Sequence, residues 1–121
     1  MGVVSLTLSP PASTTKANAV TATVMIGPGY INDAIVQFPA GCQYLAKLAV
    51  YVSLPSNPLT PVLPQYDAED GQDHIALDDT GGGLVLPIGI RLDYTAKLTA
   101  KAWNSDSVNA HTLKVLINLI D

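Results

Sequence analysis

Residues 91–102 read RLDYTAKLTAKA, and polar and apolar side chains alternate through the whole stretch. Its apolar side consists of Leu92, Tyr94, Ala96, Leu98, Ala100 and Ala102. Because successive side chains of a strand point to opposite faces, this period of two predicts a strand with one buried face. Asp93 and Tyr94 are candidates for a turn within it.

Further short strands are predicted on both sides of this stretch. Residues 3–8, 19–26, 43–54 and 112–120 alternate in the same way, and residues 35–38 and 84–90 are short apolar runs. Turn residues separate them, as in Gly27-Pro28-Gly29, Pro39-Ala40-Gly41 and Thr80-Gly81-Gly82-Gly83. No segment has the period of a helix. Seven or eight strands of this kind predict an all-β fold, an antiparallel β-sandwich that is jelly-roll-like.

Composition and charge exclude several classes of protein. The 121 residues are 48% apolar and 13% charged, which excludes a disordered chain and suits one domain with its own core. The net charge is −4 and the six basic residues are scattered, so no nucleic-acid partner is expected. The longest apolar run is too short to span a bilayer, and residues 1–10 lack a basic leader region. The sequence therefore predicts a soluble protein made in a cytoplasm, with no membrane partner.

The beginning of the chain differs from the remainder. Residues 1–16 combine a short strand with a linker rich in Pro, Ser and Thr, and residues 17–121 form the predicted sandwich domain. Two adjacent prolines, Pro10 and Pro11, stiffen the linker toward an extended form. Two interpretations stay open: an exchange arm that pairs with the sheet edge of a neighbouring subunit, or an ordinary edge strand of its own domain.

Several predicted strands carry apolar residues on both faces. A sandwich buries only one face of each strand, so the second set requires another cover. We therefore expect a homo-oligomer, with a trimer as the preferred state. The candidate interface residues are Leu45, Ala49, Tyr51, Leu116 and Ile120.

No motif predicts catalysis. Asp79-Thr80-Gly81 is the signature of aspartic proteases, in which two such carboxylates share a proton and activate water. Here Asp78 precedes it in place of an apolar residue and only 42 residues follow Asp79, so a turn is the better interpretation. The single cysteine, Cys42, cannot form an internal disulfide and is expected to be a small buried hydrophobe. We expect no enzymatic activity.

Metal and ligand sites have little support in the sequence. Four acidic residues in the run 67–73 could ligate calcium, but the run lacks the EF-hand order and is also typical of a solvated loop. His74 and His111 have no Cys or His at ligand spacing, so no metal or other cofactor is expected. Tyr66 and Trp103 are candidate ligand-binding residues, since an exposed aromatic ring can stack on a sugar. For Trp103 a position in the core or an interface is the alternative.

Three stretches together carry a resemblance to a known group of proteins. They are IVQFPAG at 35–41, LAVYV at 48–52, and PIGIRL at 87–92 continuing to KAWN at 101–104. This order of strands and turns resembles that of small β-sandwich virion proteins of tailed phages, which are capsid decoration proteins and head, tail or fibre modules. The resemblance implies a jelly-roll-like fold, no catalysis, and self-assembly on a virion with other virion proteins. The alternative function is a carbohydrate- or ligand-binding module of the adhesin type.

Overall fold

A computed structural model of the chain describes residues 2–64 and 74–120, and within them eight strands form two sheets. The strands are β1 (Gly2–Leu8), β2 (Val20–Ile26), β3 (Gly29–Gln37), β4 (Ala46–Val52), β5 (Thr60–Leu63), β6 (Leu84–Leu92), β7 (Ala96–Asn104) and β8 (Leu113–Ile120). A single turn of 3₁₀ helix, Lys16–Asn18, precedes β2. Within the described residues no helix is long and apolar enough to cross a bilayer.

The order of the strands is that of a jelly roll. Sheet 1 has the order β1-β8-β3-β6, sheet 2 has the order β2-β7-β4-β5, and all neighbouring strands are antiparallel. The pairs β1·β8, β2·β7, β3·β6 and β4·β5 join strands whose numbers add to nine, as if one long hairpin had been folded over into two sheets. The predicted all-β antiparallel sandwich is therefore confirmed, with eight strands.

One core lies between the two sheets. It is formed by the inward side of each strand, because alternate residues of β4, β7 and β8 are buried while those between them face outward. Val50, Leu98 and Ile117 are among the side chains with no exposed surface. These residues belong to the alternating stretches of the sequence, so the period of two identified the core face correctly.

The stretch at 91–102 contains a turn and spans two strands. Leu92 ends β6 and Ala96 begins β7, so Asp93 and Tyr94 lie in the turn that was considered for them. Both flanking segments keep their alternation because Leu92 and Ala96 point into the core. The connection carries the chain from sheet 1 to sheet 2.

The predicted strand at 43–54 is shorter than expected. Gln43 and Tyr44 have positive φ angles of 49° and 62°, which an extended strand does not allow, and β4 begins only at Ala46. The proline-rich segment after β4 contributes a strand of four residues, β5, at the edge of sheet 2. An edge is the position at which proline is tolerated, since one side of the strand has no partner.

The first strand belongs to the sandwich of its own chain. It pairs with β8 from Gly2 opposite Leu119 to Leu8 opposite Leu113, and the side chains of Leu6 and Leu8 are in the core. The linker that follows is also bound, since the Ser13 backbone N–H donates to the Asp106 carbonyl at 2.8 Å. Residues 2–16 are thus not a detached arm in this structure, and β1 has the place of an ordinary edge strand. Exchange of β1 between copies stays a prediction.

Candidate interaction surfaces

An apolar row crosses the outer face of sheet 1. Ile35 on β3 is paired with Leu116 on β8 and with Val85 on β6, and all three side chains point away from the core. We call these three residues the apolar row. Val85 is 56% exposed, and Ile35 and Leu116 are half-buried. Partly exposed apolar side chains aligned across three strands form a continuous surface that water solvates poorly.

Polar pairs lie on both sides of the apolar row. On one side the Asn118 amide donates a short hydrogen bond to the Asp33 carboxylate. On the other side the Gln37 amide donates to the Gly82 carbonyl at 3.0 Å. These side chains are already engaged within the chain, so the row is a bounded apolar strip with polar borders.

Gly83 lies directly against the apolar row. A Cβ at this position would approach the Ile35 Cγ2 atom to 2.5 Å, and the residue has a φ of 131°. Both observations require glycine, because a side chain would clash and would strain the backbone. The close approach fixes the Ile35 side chain on the outer face.

The outer face of sheet 2 is basic. Lys47, Lys97 and Lys101 all point outward from β4 and β7, and β2, β4, β5 and β7 contain no acidic residue. The Lys101 ammonium lies 5.9 Å from the centroid of the Tyr51 ring. The basic residues that are scattered in the sequence are therefore partly gathered by strand pairing. Sequence reasoning could not find this surface, since it depends on which strands are neighbours.

The predicted interface residues lie on two different faces. Leu116 and Ile120 are on the outer face of sheet 1, whereas Ala49 and Tyr51 point to the outer face of sheet 2, and Leu45 precedes β4. These residues therefore do not share one face of the molecule, and their role as interface residues stays a prediction. Ala49 is fully buried within the chain, because it is a small residue in a central strand between longer neighbours. It has no surface to offer to a partner.

Trp103 does not present an open ring to a ligand. It is 8% exposed, with the His74 ring edge-on at a centroid distance of 5.5 Å and the Lys16 ammonium at 5.9 Å. These contacts arise because Trp103 faces outward at the end of β7, where neighbouring segments cover it. Trp103 thus has the enclosed position of the alternative interpretation, and ligand stacking on its ring stays a prediction. The other candidate, Tyr66, and the acidic run 67–73 lie outside the described residues.

The Asp79-Thr80-Gly81 motif forms a turn that is bound to the end of β3. Thr80 donates its backbone N–H to the Phe38 carbonyl at 3.1 Å, and its hydroxyl accepts from the Phe38 N–H at 3.0 Å. The Asp78 carboxylate, in turn, accepts from the Gly41 N–H at 3.1 Å. The Gly83 N–H donates to the Thr80 carbonyl at 3.1 Å, so a turn begins within the motif, as predicted.

Cys42 is fully buried, as expected. Burial raises the pKa of its thiol, and the nearby Asp78 and Asp106 carboxylates raise it further. A raised pKa keeps the neutral thiol, the unreactive form. In residues 2–64 and 74–120 no group of three His, Cys, Asp or Glu side chains converges as metal ligands would.

A buried polar cluster, Asn104, Asp106 and His111, organises the loop between β7 and β8. The Asp106 carboxylate accepts from the Val108 N–H at 2.9 Å, from the Asn109 N–H at 3.1 Å and from His111 Nε2 at 2.8 Å. These hydrogen bonds lower the pKa of Asp106 to about 2, with the Val108 bond contributing most. Asn104 accepts from the Asp106 N–H and donates to the Asn109 carbonyl. The cluster satisfies its own polar groups, which is typical of a structural role.

A groove of about 540 Å³ lies at the opposite end of the sandwich, and we call it the end groove. One wall is the turn between β6 and β7, and the other is the segment 53–56 after β4. Tyr94 is 70% exposed at its rim, and Arg91 and Asp93 line it. Tyr94 is not among the ligand candidates predicted from the sequence, because the alternation of residues 91–102 assigns it to the apolar side of a strand. The only available signal was its place in a possible turn.

Comparison with solved structures finds weak structural likenesses, of which one is described here. No family model matches the chain, and no curated protein matches it. A chain in the structure of infectious bursal disease virus, Gx strain, is similar to it with a TM-score of 0.40 and 16% identity. The superposition covers 98% of this chain and 32% of that one, so this chain spans about a third of the length of the viral chain.

Proposed function

We propose that the protein is a non-enzymatic structural component of a virion, which self-assembles on the particle as a decoration, head, tail or fibre protein of a phage. The observation that carries this proposal is the apolar row on the outer face of sheet 1. The strand and turn pattern that resembles phage virion proteins supports the same function.

The apolar row provides a physical reason for self-assembly. A single copy leaves Val85 and much of the surrounding face in contact with water, although each strand already contributes its other side to the core. Covering such a surface releases free energy of about 25 cal/mol for every Å² of apolar area removed from water. Two further apolar side chains of the same outer face, Ile120 at 38% and Val3 at 61% exposure, lie on β8 and β1 outside the apolar row. Other copies of the chain can cover this surface, since apolar surfaces exclude water from each other, and contacts that close around a three-fold axis would give the expected trimer.

The test is the replacement Leu116→Lys, at the β8 end of the apolar row. Wild-type protein should form an oligomer at micromolar concentration, and a trimer is expected. The variant should have a lower mass, because association would bury an unpaired charge. Light scattering coupled to size-exclusion chromatography measures the mass directly.

The matched control is Val108→Lys, which makes the same kind of change in a loop outside both sheet faces. Val108 is 78% exposed, so its side chain contributes nothing to the core. This variant should keep the wild-type mass. A monomeric wild type, or equal masses for both variants, contradicts the proposed self-assembly.

A further inference from the structure

We infer that the end groove is a binding site for a neutral saccharide. This activity goes beyond assembly, and it involves residues at the end of the sandwich that lie apart from the apolar row. The juxtaposition that supports it is an exposed aromatic ring beside a guanidinium, a carboxylate and several hydroxyls in one concave space.

Tyr94 supplies the platform of the site. Its ring is 70% exposed although the residue lies in a short turn between two ordered strands. A sugar ring has an apolar face of C–H groups and a rim of hydroxyls, so it can cover an aromatic ring and keep its polar groups hydrated. The volume of about 540 Å³ suits a ligand of one or two sugar units.

Arg91 and Asp93 supply charged hydrogen-bonding groups on the same wall. Arg91 is the only arginine of the chain, and within the described residues its guanidinium has no ion pair. Planar guanidinium and carboxylate groups each bind two neighbouring oxygens at once, which matches the paired hydroxyls of a sugar. Because one charge of each sign is present, the site has no preference for a charged ligand.

The walls of the end groove are held in place before any ligand binds. The Ser53 N–H donates to the Lys97 carbonyl at 2.9 Å, and the Lys97 N–H donates back to the Ser53 hydroxyl at 3.0 Å. Next to this pair, Leu54 and Asn57 exchange backbone hydrogen bonds at 3.0 and 3.1 Å. The Ser53–Lys97 bonds join the segment after β4 to the beginning of β7, and the Leu54–Asn57 bonds close a turn within that segment. A preorganised site binds its ligand with a smaller entropy loss.

The experiment is a titration of ¹⁵N-labelled full-length protein with glucose, galactose, mannose, N-acetylglucosamine and their common disaccharides. At least one of these should shift the amide signals of residues 91–96 and 53–56 and leave those of β8 unchanged. Tyr94→Ala should weaken that binding at least tenfold. Tyr44→Ala removes a ring of similar exposure outside the end groove, and it should bind like the wild type.

Three results would overturn the inference. They are the absence of binding by every sugar of the set at millimolar concentration, equal binding by Tyr94→Ala and wild type, and tighter binding of sialic acid, a charged sugar titrated in the same way. The outcome is independent of self-assembly, because the Leu116→Lys variant contains the same groove and can be titrated as well. A negative result for sugar binding therefore does not contradict the proposed self-assembly, and the reverse also holds.

Discussion

The Asp106 carboxylate determines how the loop between β7 and β8 responds to acid. Its pKa is lowered to about 2 from the usual 3.8, mainly by the hydrogen bond from Val108, then by those from His111 and Asn109. A lowered pKa means that the ionised group stabilises the fold above about pH 4, and that this contribution is lost as the pH falls toward 2. We predict that Asp106→Asn lowers the melting temperature at pH 6, and that the difference from wild type shrinks steadily between pH 4 and 2.

Asp93→Asn is the control for this prediction at the residue scale. It removes the same charge from an exposed turn, where the carboxylate does not hold a loop. Its melting temperature should follow that of the wild type across the same range of pH. A constant difference between wild type and Asp106→Asn would mean that the hydrogen bonds of Asp106 act through geometry alone, and that its charge contributes nothing.

At the scale of the element, the structure places β1 at the edge of its own sandwich, whereas the sequence also allows an exchange arm. Leu8 is 1% exposed in the core, whereas Val3 on the same strand is 61% exposed. Leu8→Ala should therefore reduce the free energy of unfolding by about 3 kcal/mol, because it removes buried apolar surface and leaves a cavity. Val3→Ala should change it by less than about 0.5 kcal/mol. Chemical denaturation measures both, and a neutral Leu8→Ala would show that β1 is not part of its own core.

The strands also show which features of the fold the sequence pattern predicts and which it does not. Alternation identified the inward side of β7 and β8, and Pro87 and Gly89 correctly marked β6 as an edge or bulged strand. Alternation distinguishes the two faces of one strand, but it contains no information on which strands share a sheet. For this reason the sequence does not show that Tyr51 and Leu116, both candidate interface residues, lie on the outer faces of different sheets. The end groove was missed for a related reason, since it is made by two loops distant in sequence.

For the whole molecule, assembly through one outer face or through the other predicts opposite effects of salt on the mass of the oligomer. The apolar row carries no charge, whereas Lys47, Lys97 and Lys101 form a basic face on an acidic protein of net charge −4. If the apolar row holds the oligomer together, raising NaCl from 50 to 500 mM should leave the mass unchanged or increase it, because salt screens repulsion between like-charged copies. Sedimentation velocity at both concentrations measures this response.

The double variant Lys97→Glu with Lys101→Glu is the companion measurement. It reverses the charge of the basic face and leaves the apolar row intact, so the oligomer should persist. Dissociation at high salt, together with loss of the oligomer in the double variant, would assign assembly to sheet 2 and remove the apolar row from the proposed interface.

The nested pairing of the strands also governs how quickly the chain can reach its fold. Of the paired strands in the described chain, only β4 and β5 are close in sequence, while β1 pairs with β8 at the other end. Each outer pair closes a longer loop than the pair inside it. The chain loses the conformational entropy of that loop before the stabilising contacts between the two strands have formed. Refolding should therefore take milliseconds to seconds, as in other β-sandwiches dominated by distant contacts. During that interval the apolar sides of unpaired strands are exposed, so high protein concentration should favour aggregation over refolding.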